Sequence, residues 1–497
     1  MKKENSRNDR PNIIYILADD MGYGDLSCLN ENSQLNTVHF DQMARDGLTC
    51  TDAHSTSAVC TPSRYAILTG RYNWRSSLKK GVLMGDSETL IEPGRTTVAS
   101  LLKAQDYRTA VVGKWHLGLD WAPAEGAGEE KHGSIKAIDY TKPIHNGPLA
   151  YGFDYFFGIS ASMDMPPFAY IENERVTEQP DRIEYFEWPG FARTGPVAPD
   201  FVHEEVLPTL TGKVLDLIDE WADDPFFIYF PLTAPHAPIL PTGDFIGKSG
   251  TNQYGDFVLM CDDIIGQVTR KLQEKNIMQN TIVVFTSDNG CSPTAGFAEL
   301  AEFGHNPNYI FRGHKADIYE GGHRIPLIVK WPAAIKSGRV SDESVCLVDF
   351  IATVADLVSA ELPDDAAEDS VSNLPLWLDE AYSKPLREAI VHHSFDGSFS
   401  IRQGKWKLEM CPGSGGWSDP KPGEEPEGSP PIQLYDLEMD IAERNNVYAQ
   451  HPDVVRQLRD LLIRYIREGR STPGQPQKNT GAEYWEQLHW MEETSMT

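Results

Sequence analysis

The sequence has no hydrophobic run that approaches the roughly 18 residues of a membrane-spanning helix. Its first residues, MKKENSRNDRP, include basic side chains but no apolar stretch behind them, so no signal peptide is predicted. We therefore expect a cytoplasmic protein, or a periplasmic or secreted one if a leader preceding this sequence has been removed.

Basic residues are scarce. Lys and Arg number 44 against 73 Asp and Glu, which gives a formal net charge of −29 over 497 residues. Such a surface repels phosphate backbones and anionic lipids, so neither nucleic acid nor a membrane is an expected partner. The remaining composition, 40% hydrophobic and 24% charged, is that of a globular protein and excludes a wholly disordered or fibrous chain.

Cysteine is rare and unpatterned. The seven cysteines are an odd number, are scattered along the chain and form no C-x-x-C pair. This pattern favours free thiols in a reducing compartment over a disulfide framework.

Short apolar runs alternate with amphipathic segments over most of the chain. This alternation predicts parallel strands joined by crossover helices. Strands are predicted at 12–18, 109–112, 226–230, 281–286 and 326–330, and helices at 62–69, 97–104, 208–221, 252–275 and 349–358. The predicted fold is α/β, with a large, mostly parallel sheet sandwiched by helices.

The pattern changes after an acidic, Pro-containing stretch at residues 361–373, which is expected to be a linker or exposed connection. Beyond it, apolar runs at 389–393, 399–402, 406–410 and 433–436 predict a small antiparallel sheet, followed by a helix at 452–467. Residues 412–431 hold 11 Pro or Gly in 20 positions and are expected to form a long surface loop. We therefore predict a catalytic domain over residues 1–375 and a smaller subdomain over 376–497.

Reactive side chains follow four of the predicted strands. They are Asp19 and Asp20, Lys114 and His116, His236, and Asp288 and Asn289. Because ligands bind outside the carboxyl ends of parallel strands, these side chains are expected to meet in one crevice. Three carboxylates and an amide would need a cation there, and an all-oxygen ligand set favours Ca²⁺ or Mg²⁺ over zinc. Taken singly, the Asp-Asp and Asp-Asn-Gly segments are equally well explained as turns at strand ends.

A cysteine precedes a predicted helix in the segment Cys60-Thr61-Pro62-Ser63-Arg64. Pro62 suits the first turn of a helix, whose free amides and dipole favour negative charge at or beside Cys60. A cysteine in such a position is more often a buried small hydrophobic residue, so this feature alone does not define a site.

The segment C-T-P-S-R with its downstream T-G-R resembles the formylglycine-type sulfatases of the alkaline phosphatase superfamily. The segments NIIYILADDMGYGDLSC, GKWHLG, APHAP, SDNG, RGHKADIYEGGHRIP and LYDLEMDIAERNNV match further blocks of that family in the same order. The resemblance covers nearly the whole chain and implies an alkaline phosphatase-like fold.

The resemblance implies that Cys60 is oxidised to formylglycine, which makes a formylglycine-generating or sulfatase-maturing enzyme an expected partner. One hydroxyl of the hydrated aldehyde attacks sulfur and displaces the alcohol. The second hydroxyl then loses its proton, the C–O bond to sulfate breaks and the aldehyde is regenerated. The implied calcium ligands, with Mg²⁺ as the alternative ion, are Asp19, Asp20, Asp288, Asn289 and the modified Cys60, and Asp288 also accepts the nucleophile's proton.

The resemblance also implies roles for the cationic side chains. Arg64 holds the hydrated aldehyde, Lys114 binds an alkoxide or sulfate oxygen, and His116 is the base of the elimination. His236 and Lys315 clamp the sulfate and protonate the departing oxygen.

One block departs from its commonest form in that family. His314 stands before Lys315, where a small residue is frequent. The role of Lys315 is unaffected, and His314 is either a substrate-binding imidazole or an ordinary surface histidine.

The resemblance thus implies a sulfuric ester hydrolase that acts on a sulfated carbohydrate, and we expect a galactose- or N-acetylgalactosamine-type mono- or oligosaccharide. A phosphodiester or phosphonate monoester hydrolase of the same superfamily is a second interpretation, because sulfate and phosphate esters differ little in shape. A third is a binding protein whose Cys60 is never converted and which holds calcium and an anionic sugar without turnover. The sequence leaves the oligomeric state open.

Overall fold

Two β-sheets organise the part of the chain that the structure describes. The structure is a computed structural model, and it describes residues 10–125, 137–185 and 192–491. A ten-stranded mixed sheet forms the larger layer, and a four-stranded antiparallel sheet follows near the carboxyl terminus. Residues 1–9, which bear on the expectation of no signal peptide, lie outside the described residues.

The strands and helices follow the predicted alternation. The strands are β1 (Asn12–Ala18), β2 (Leu48–Cys50), β3 (Ala53–His54), β4 (Arg108–Lys114), β5 (Tyr155–Ile159), β6 (Ile171–Glu172), β7 (Arg175–Val176), β8 (Arg182–Glu184), β9 (Gly195–Val197), β10 (Phe226–Pro231), β11 (Thr281–Ser287), β12 (Leu327–Lys330), β13 (Arg339–Ser341), β14 (Val345–Cys346), β15 (Ile390–His393), β16 (Phe399–Gln403), β17 (Trp406–Glu409) and β18 (Gln433–Asp436). The helices are α1 (Val38–Asp46), α2 (Cys60–Thr69), α3 (Val98–Lys103), α4 (Val206–Trp221), α5 (Gln253–Glu274), α6 (Phe297–Glu302), α7 (Glu320–His323), α8 (Phe350–Leu357), α9 (Leu374–Trp377) and α10 (Pro452–Glu468). Each predicted strand and helix has a counterpart among these elements.

The larger sheet has the strand order β13-β2-β12-β11-β1-β10-β4-β5-β6-β7. β1 lies near its centre and pairs in parallel with β10 and β11, and β4 pairs in parallel with β10 and β5. Every residue of β1 and β11 is buried, which explains the continuous apolar runs IIYILA and IVVF within them. The predicted mostly parallel α/β sheet is confirmed.

The sheet departs from a purely parallel pattern on both sides. β12 runs antiparallel to β11 and β2 on one side, and β6 runs antiparallel to β5 and β7 on the other. β5 is a buried five-residue strand that the sequence pattern did not predict. Short buried strands have no alternation of polar and apolar residues, so periodicity does not reveal them.

Helices cover both faces of the larger sheet. Successive side chains of β1 point to opposite faces, as in any strand. Ile14 and Ile16 join a buried cluster with α4 and α5, whereas Ile13 and Tyr15 join a second cluster with α3 and α8. The sheet is therefore sandwiched by helices, as predicted.

The small sheet has the order β15-β16-β17-β18 and is antiparallel throughout, as predicted. α10 packs on it, and its Leu458 and Leu462 share a buried cluster with Ile401 and Leu408 of the sheet. The predicted boundary between residues 375 and 376 falls inside the short helix α9, and the division into two domains stays a prediction.

The stretch at residues 361–373 is not an exposed connection over its whole length, because residues 366–370 are buried. Asp369 accepts hydrogen bonds from Arg75 Nε at 2.7 Å and Nη2 at 2.9 Å. Glu368 accepts one from Arg95 Nη1 at 2.8 Å. These two ion pairs hold the segment against the region that follows α2, and local composition gave no sign of them.

All seven cysteines lie within the described residues, and none of them is paired. Six are buried and Cys28 is partly exposed. Among the described helices, none combines the length and the apolar character needed to cross a bilayer.

A buried network of charges and imidazoles joins the small sheet to α7 and β3. Lys407 on β17 donates to Glu443 at 2.6 Å, and its Nζ lies 3.2 Å from Glu320 and 3.0 Å from His323 Nε2. The Nδ1 atoms of His323 and His54 are 3.1 Å apart. A buried charge destabilises the fold unless it is paired and hydrogen-bonded. The network therefore restricts the position of the small sheet relative to the elements that supply its partners.

His393, at the end of β15, is another buried histidine of the small sheet. Its Nδ1 accepts a hydrogen bond from Asn73 Nδ2 at 3.1 Å. Burial lowers the pKa of His393 to about 3, so the ring stays neutral near pH 7 and well below it. An unfolded chain, by contrast, would protonate this histidine below about pH 6.5.

We predict that His393→Asn reduces the loss of stability in mild acid. As pH falls below about 6.5, the unfolded state gains a proton that the folded state cannot take up, so folding loses stability. Between pH 7 and pH 5 the free energy of unfolding of the wild type should fall by about 2 kcal/mol more than that of His393→Asn, whose Oδ1 can still accept from Asn73. Denaturant titrations at both pH values measure this, and parallel losses in the two proteins would contradict it.

Candidate active site

Two neighbouring parallel strands, β1 and β11, bring the predicted acidic residues together. Asp19 and Asp20 follow β1, Asp288 and Asn289 follow β11, and the register pairs Ala18 with Ser287. The backbone of Asp20 takes a positive φ of 65°, and its N–H donates to Asp288 Oδ1 at 3.2 Å. The strand ends therefore meet as predicted.

The next strands in the sheet supply cationic and imidazole groups. Lys114, the last residue of β4, donates from Nζ to Asp19 Oδ2 at 2.7 Å. Trp115, the residue after it, packs in a buried apolar cluster instead, because neighbouring side chains of an extended chain point in opposite directions. His236 follows β10, and its Nε2 lies 3.6 Å from Asp20 Oδ2. Lys114 and His236 therefore both face the carboxylates that follow β1.

Cys60 is the first residue of α2, whose ten residues are all buried. Its Sγ lies 3.6 Å from Asp19 Oδ1 and 4.0 Å from Asp20 Oδ1. Burial raises the pKa of the Cys60 thiol, although Lys114 and Lys315 act in the opposite direction. An unmodified Cys60 is therefore a neutral thiol placed among the acidic side chains.

Arg64 lies one turn after Cys60 on the same face of α2. Its Nε and Nη2 donate to Asp288 Oδ2 at 2.9 and 2.7 Å, and its Nη1 donates to the backbone oxygen of Lys114 at 2.9 Å. Burial alone would lower the pKa of Arg64, but Asp288 and Asp19 hold it above its usual value. Arg64 thus fixes α2 against the ends of two strands.

Lys315 approaches the same point from a loop before α7. Its Nζ donates to Asp20 Oδ2 at 2.7 Å. Burial alone would lower the pKa of Lys315, but the Asp20 carboxylate raises it above the usual value for lysine. The next residue, Ala316, has a φ of 81°, and its backbone is held by the N–H···O bond from Ala316 to Ala58 at 2.8 Å.

His116 has one ring nitrogen engaged and one available. Its Nε2 lies 2.8 Å from the backbone oxygen of Leu83, which can only accept, so Nε2 carries the hydrogen. Nδ1 is buried and has no hydrogen-bond partner among the described residues. Burial lowers the pKa of His116 well below the usual value, with Lys114 and Arg64 acting in the same direction. The ring is therefore neutral with a free lone pair on Nδ1, which is what a base requires.

His314 is placed differently from the other predicted residues. Its Nδ1 is 2.9 Å from the backbone oxygen of Lys315, and its Nε2 is 3.0 Å from Ser418 Oγ. Both ring nitrogens are thus close to protein atoms at the edge of the site. Substrate binding by His314 stays a prediction.

The residues fit a divalent cation. Asp19, Asp20, Cys60 and His236 each offer a ligand atom, and these atoms lie within 4.8 Å of one another. Asn289 donates from Nδ2 to Asp20 Oδ1 at 2.8 Å, while its own Oδ1 is buried without a partner in the described part of the chain. A buried acceptor with no partner is costly, and a hard cation would satisfy it.

Sequence patterns did not reveal two contributions to this site. The carbonyl of Leu83 selects the tautomer of His116, and a backbone group leaves no mark on the sequence. Asp317 accepts from the backbone N–H groups of Trp417 and Ser418 at 2.8 and 3.0 Å, which brings a loop of the small sheet to the site. The first of these contacts joins positions 100 residues apart, so local motifs do not predict it.

A family model described as sulfatase matches residues 11–360, which include each of the residues above that surround Cys60. The chain belongs to the sulfatase family. A second family model, described as the C-terminal part of N-sulphoglucosamine sulphohydrolase, matches residues 313–408. As a sulfatase, the protein is a sulfuric ester hydrolase.

Known sulfatases resemble this one over most of its length. An N-acetylgalactosamine-6-O-sulfatase of Bacteroides thetaiotaomicron is 35% identical over 93% of this chain and 94% of its own. An arylsulfatase of Hemicentrotus pulcherrimus is 32% identical over 81% of this chain and 67% of its own. A solved structure from work on the metabolism of multiple glycosaminoglycans by Bacteroides thetaiotaomicron has a TM-score of 0.79 and 34% identity, and the match covers 92% of this chain and 99% of that one.

Membership of the sulfatase family implies formylglycine at the motif cysteine and a divalent metal ion. In this sulfatase the motif cysteine is Cys60, and the possible metal ligands surround it. The family and the geometry therefore point to the same position in the fold.

We predict that Asn289→Leu weakens cation binding without removing the charged ligands. The substitution deletes the unpartnered Oδ1 while keeping a side chain of similar size. A tenfold loss of affinity would remove about 1.4 kcal/mol of the stabilisation that Ca²⁺ or Mg²⁺ gives to the chelator-treated wild type. Thermal unfolding with and without the cation measures this.

Asn30→Leu is the matched control, because Asn30 is also buried but uses its amide to donate to the backbone oxygen of Gly24. This variant should lose baseline stability and keep the full cation-induced increase. Equal cation-induced increases in Asn289→Leu and the wild type would show that Asn289 is not a ligand.

Proposed function

We propose that this sulfatase hydrolyses the 6-sulfate ester of a galacto-configured sugar, N-acetylgalactosamine in the first place, in a mono- or oligosaccharide. The observation that carries the proposal is the 35% identity to an N-acetylgalactosamine-6-O-sulfatase over 93% of the chain. The relatives described above are sulfatases, so the likeness favours a sulfate ester over the phosphodiester or phosphonate alternative.

We propose Ca²⁺ as the cation, held by Asp19, Asp20, Asp288, Asn289 and the modified residue 60. The oxygen-rich ligand set suits a hard cation, and the unpartnered Oδ1 of Asn289 supports it. When bound, the cation would stabilise negative charge on the reacting oxygens. Formylglycine would supply a hydroxyl nucleophile that can later release sulfate by elimination, and a maturing enzyme must first convert Cys60.

The side chains around residue 60 divide into an anionic and a cationic set. The anionic set is Asp19, Asp20 and Asp288, and the cationic set is Arg64, Lys114 and Lys315. Lys114 and Lys315 each contact a carboxylate at 2.7 Å, so both ammonium groups point at the region where a cation and a sulfate ester would sit. An incoming sulfate oxygen can take over these contacts, because a bound cation would then compensate Asp19 and Asp20 while Arg64 still compensates Asp288.

The two histidines suit opposite proton transfers. His116 is buried and neutral with a free Nδ1, so it can accept a proton during sulfate release. His236 keeps 12% of its side chain exposed, and from solvent it can recover a proton after protonating the departing sugar oxygen. Lys315 is better suited to clamping than to donating, because Asp20 raises its pKa and so makes it a weaker acid.

We predict that His236→Ala slows substrates with poor leaving groups most. A sugar alkoxide needs protonation as it departs, whereas a nitrophenolate leaves readily without it. Turnover of the sulfated sugar should fall by roughly 10²-fold or more, and turnover of 4-nitrophenyl sulfate by less than about tenfold. The exposed His145, replaced by Ala, is the control and should change neither rate. Equal losses on both esters would contradict the acid role.

The substrate proposal is tested by sulfate release from protein co-expressed with a formylglycine-generating enzyme, with the mass of the Cys60 peptide checked first. The panel contains N-acetylgalactosamine sulfated at position 6, 4 or 3, N-acetylglucosamine 6-sulfate, and a nitrophenyl phosphodiester. We expect ion chromatography to show sulfate chiefly from the galacto-configured 6-sulfate. Release from another regioisomer, or turnover of the phosphodiester alone, would overturn the proposal.

A further inference from the structure

The loop between β17 and β18 is fastened to the segment that carries Lys315. Asp317 accepts from the N–H groups of Trp417 and Ser418, and Ser418 Oγ also donates to Asp317 Oδ2. A Cβ on Gly416 would collide with the backbone oxygen of Ala316, so only glycine allows this approach. The backbone at Trp417 is therefore fixed against a residue that lies two positions after Lys315.

Phe395 links this loop to the segment that orients His116. Its N–H donates to the oxygen of Ala316 at 2.9 Å, and its own oxygen accepts from Gly81 N–H at 2.8 Å. Gly81 lies two residues before Leu83, the acceptor for His116. Phe395 thus stands between the two loops that hold Lys315 and His116.

Trp417 packs against Phe395 but stays exposed. The two ring centroids are 5.6 Å apart at 53°, and 39% of Trp417 is accessible. An indole held by a rigid backbone and left this open loses the free energy that full burial would give it. Core packing therefore does not account for a large aromatic residue at this place.

We infer that Trp417, supported by Phe395, forms a stacking subsite for the pyranose ring that carries the sulfate ester. The apolar C–H face of a sugar packs on an indole, and a galacto-configured ring suits this best because its axial hydroxyl leaves one face continuous and apolar. The inference rests on the proposed function, since it assigns to Trp417 the recognition of the sugar rather than of the sulfate.

His314 has a positioning role in this arrangement. It spans from the backbone oxygen of Lys315 to Ser418 Oγ, the residue after Trp417. The imidazole at the unusual position of the family block thus holds the loop that presents the indole. In this role His314 positions the loop that carries Trp417 and does not itself contact the sugar.

The test measures binding without turnover, in a calcium-loaded Cys60→Ala parent. Calorimetry gives the Kd of N-acetylgalactosamine 6-sulfate and of inorganic sulfate for the parent and for added Trp417→Ala or Trp417→Phe. We expect Trp417→Ala to raise the Kd of the sugar sulfate roughly tenfold and to leave the Kd of inorganic sulfate unchanged. Trp417→Phe should retain most of the affinity for the sugar sulfate. Tyr382→Ala is the matched control, because Tyr382 is 40% exposed and lies in the segment between α9 and β15.

The outcomes separate this inference from the proposed substrate. If the parent binds the sugar sulfate and Trp417→Ala binds it equally well, the subsite is wrong and the substrate stands. If Trp417→Ala weakens the binding of inorganic sulfate as much as that of the sugar sulfate, the indole only supports the sulfate site. The inference is then overturned as well. If the parent binds none of the sugar sulfates while mature enzyme cleaves an aryl sulfate, the proposed substrate fails together with its subsite.

Discussion

The mutual neutralisation of buried charges is the constraint on which this site depends. Three carboxylates at the ends of β1 and β11 would repel one another strongly in a region where Asp19, Asp20 and Asp288 are at most 1% exposed. Arg64 from α2, Lys114 from β4 and Lys315 from a distant loop each meet one of them. The parallel register of the sheet makes this possible, because it ends neighbouring strands at one edge.

The small sheet takes part in this arrangement. The oxygen of His393 at the end of β15 accepts from the N–H of Ala58, two residues before Cys60, at 2.9 Å. Ala58 in turn accepts from Ala316, next to Lys315. The segments that carry Cys60 and Lys315, the proposed nucleophile position and a proposed sulfate-binding lysine, are thus both linked to β15. Loss of the small sheet would therefore disturb the site itself as well as the stability of the fold.

The sequence predicted the α/β class and the strand-end residues well because both follow from local patterns. The apolar runs of β1 and β11 end abruptly before Asp19 and Ser287, and such boundaries can be recognised from the sequence alone. The antiparallel direction of β12, the burial of Asp369 by Arg75 and the contact of Asp317 with Trp417 depend on distant partners. No local sequence pattern encodes those pairings, so only the structure reveals them.

The tautomer of His116 shows why geometry adds chemical information about a residue that the sequence singles out. A histidine at a strand end could donate or accept at either nitrogen, and the sequence does not distinguish these states. The Leu83 oxygen forces the hydrogen onto Nε2, and burial beside Lys114 and Arg64 keeps a second proton off the ring. His116 is thereby kept as an acceptor, while the partly exposed His236 remains connected to solvent. The two environments support the proposed roles of base for His116 and acid for His236.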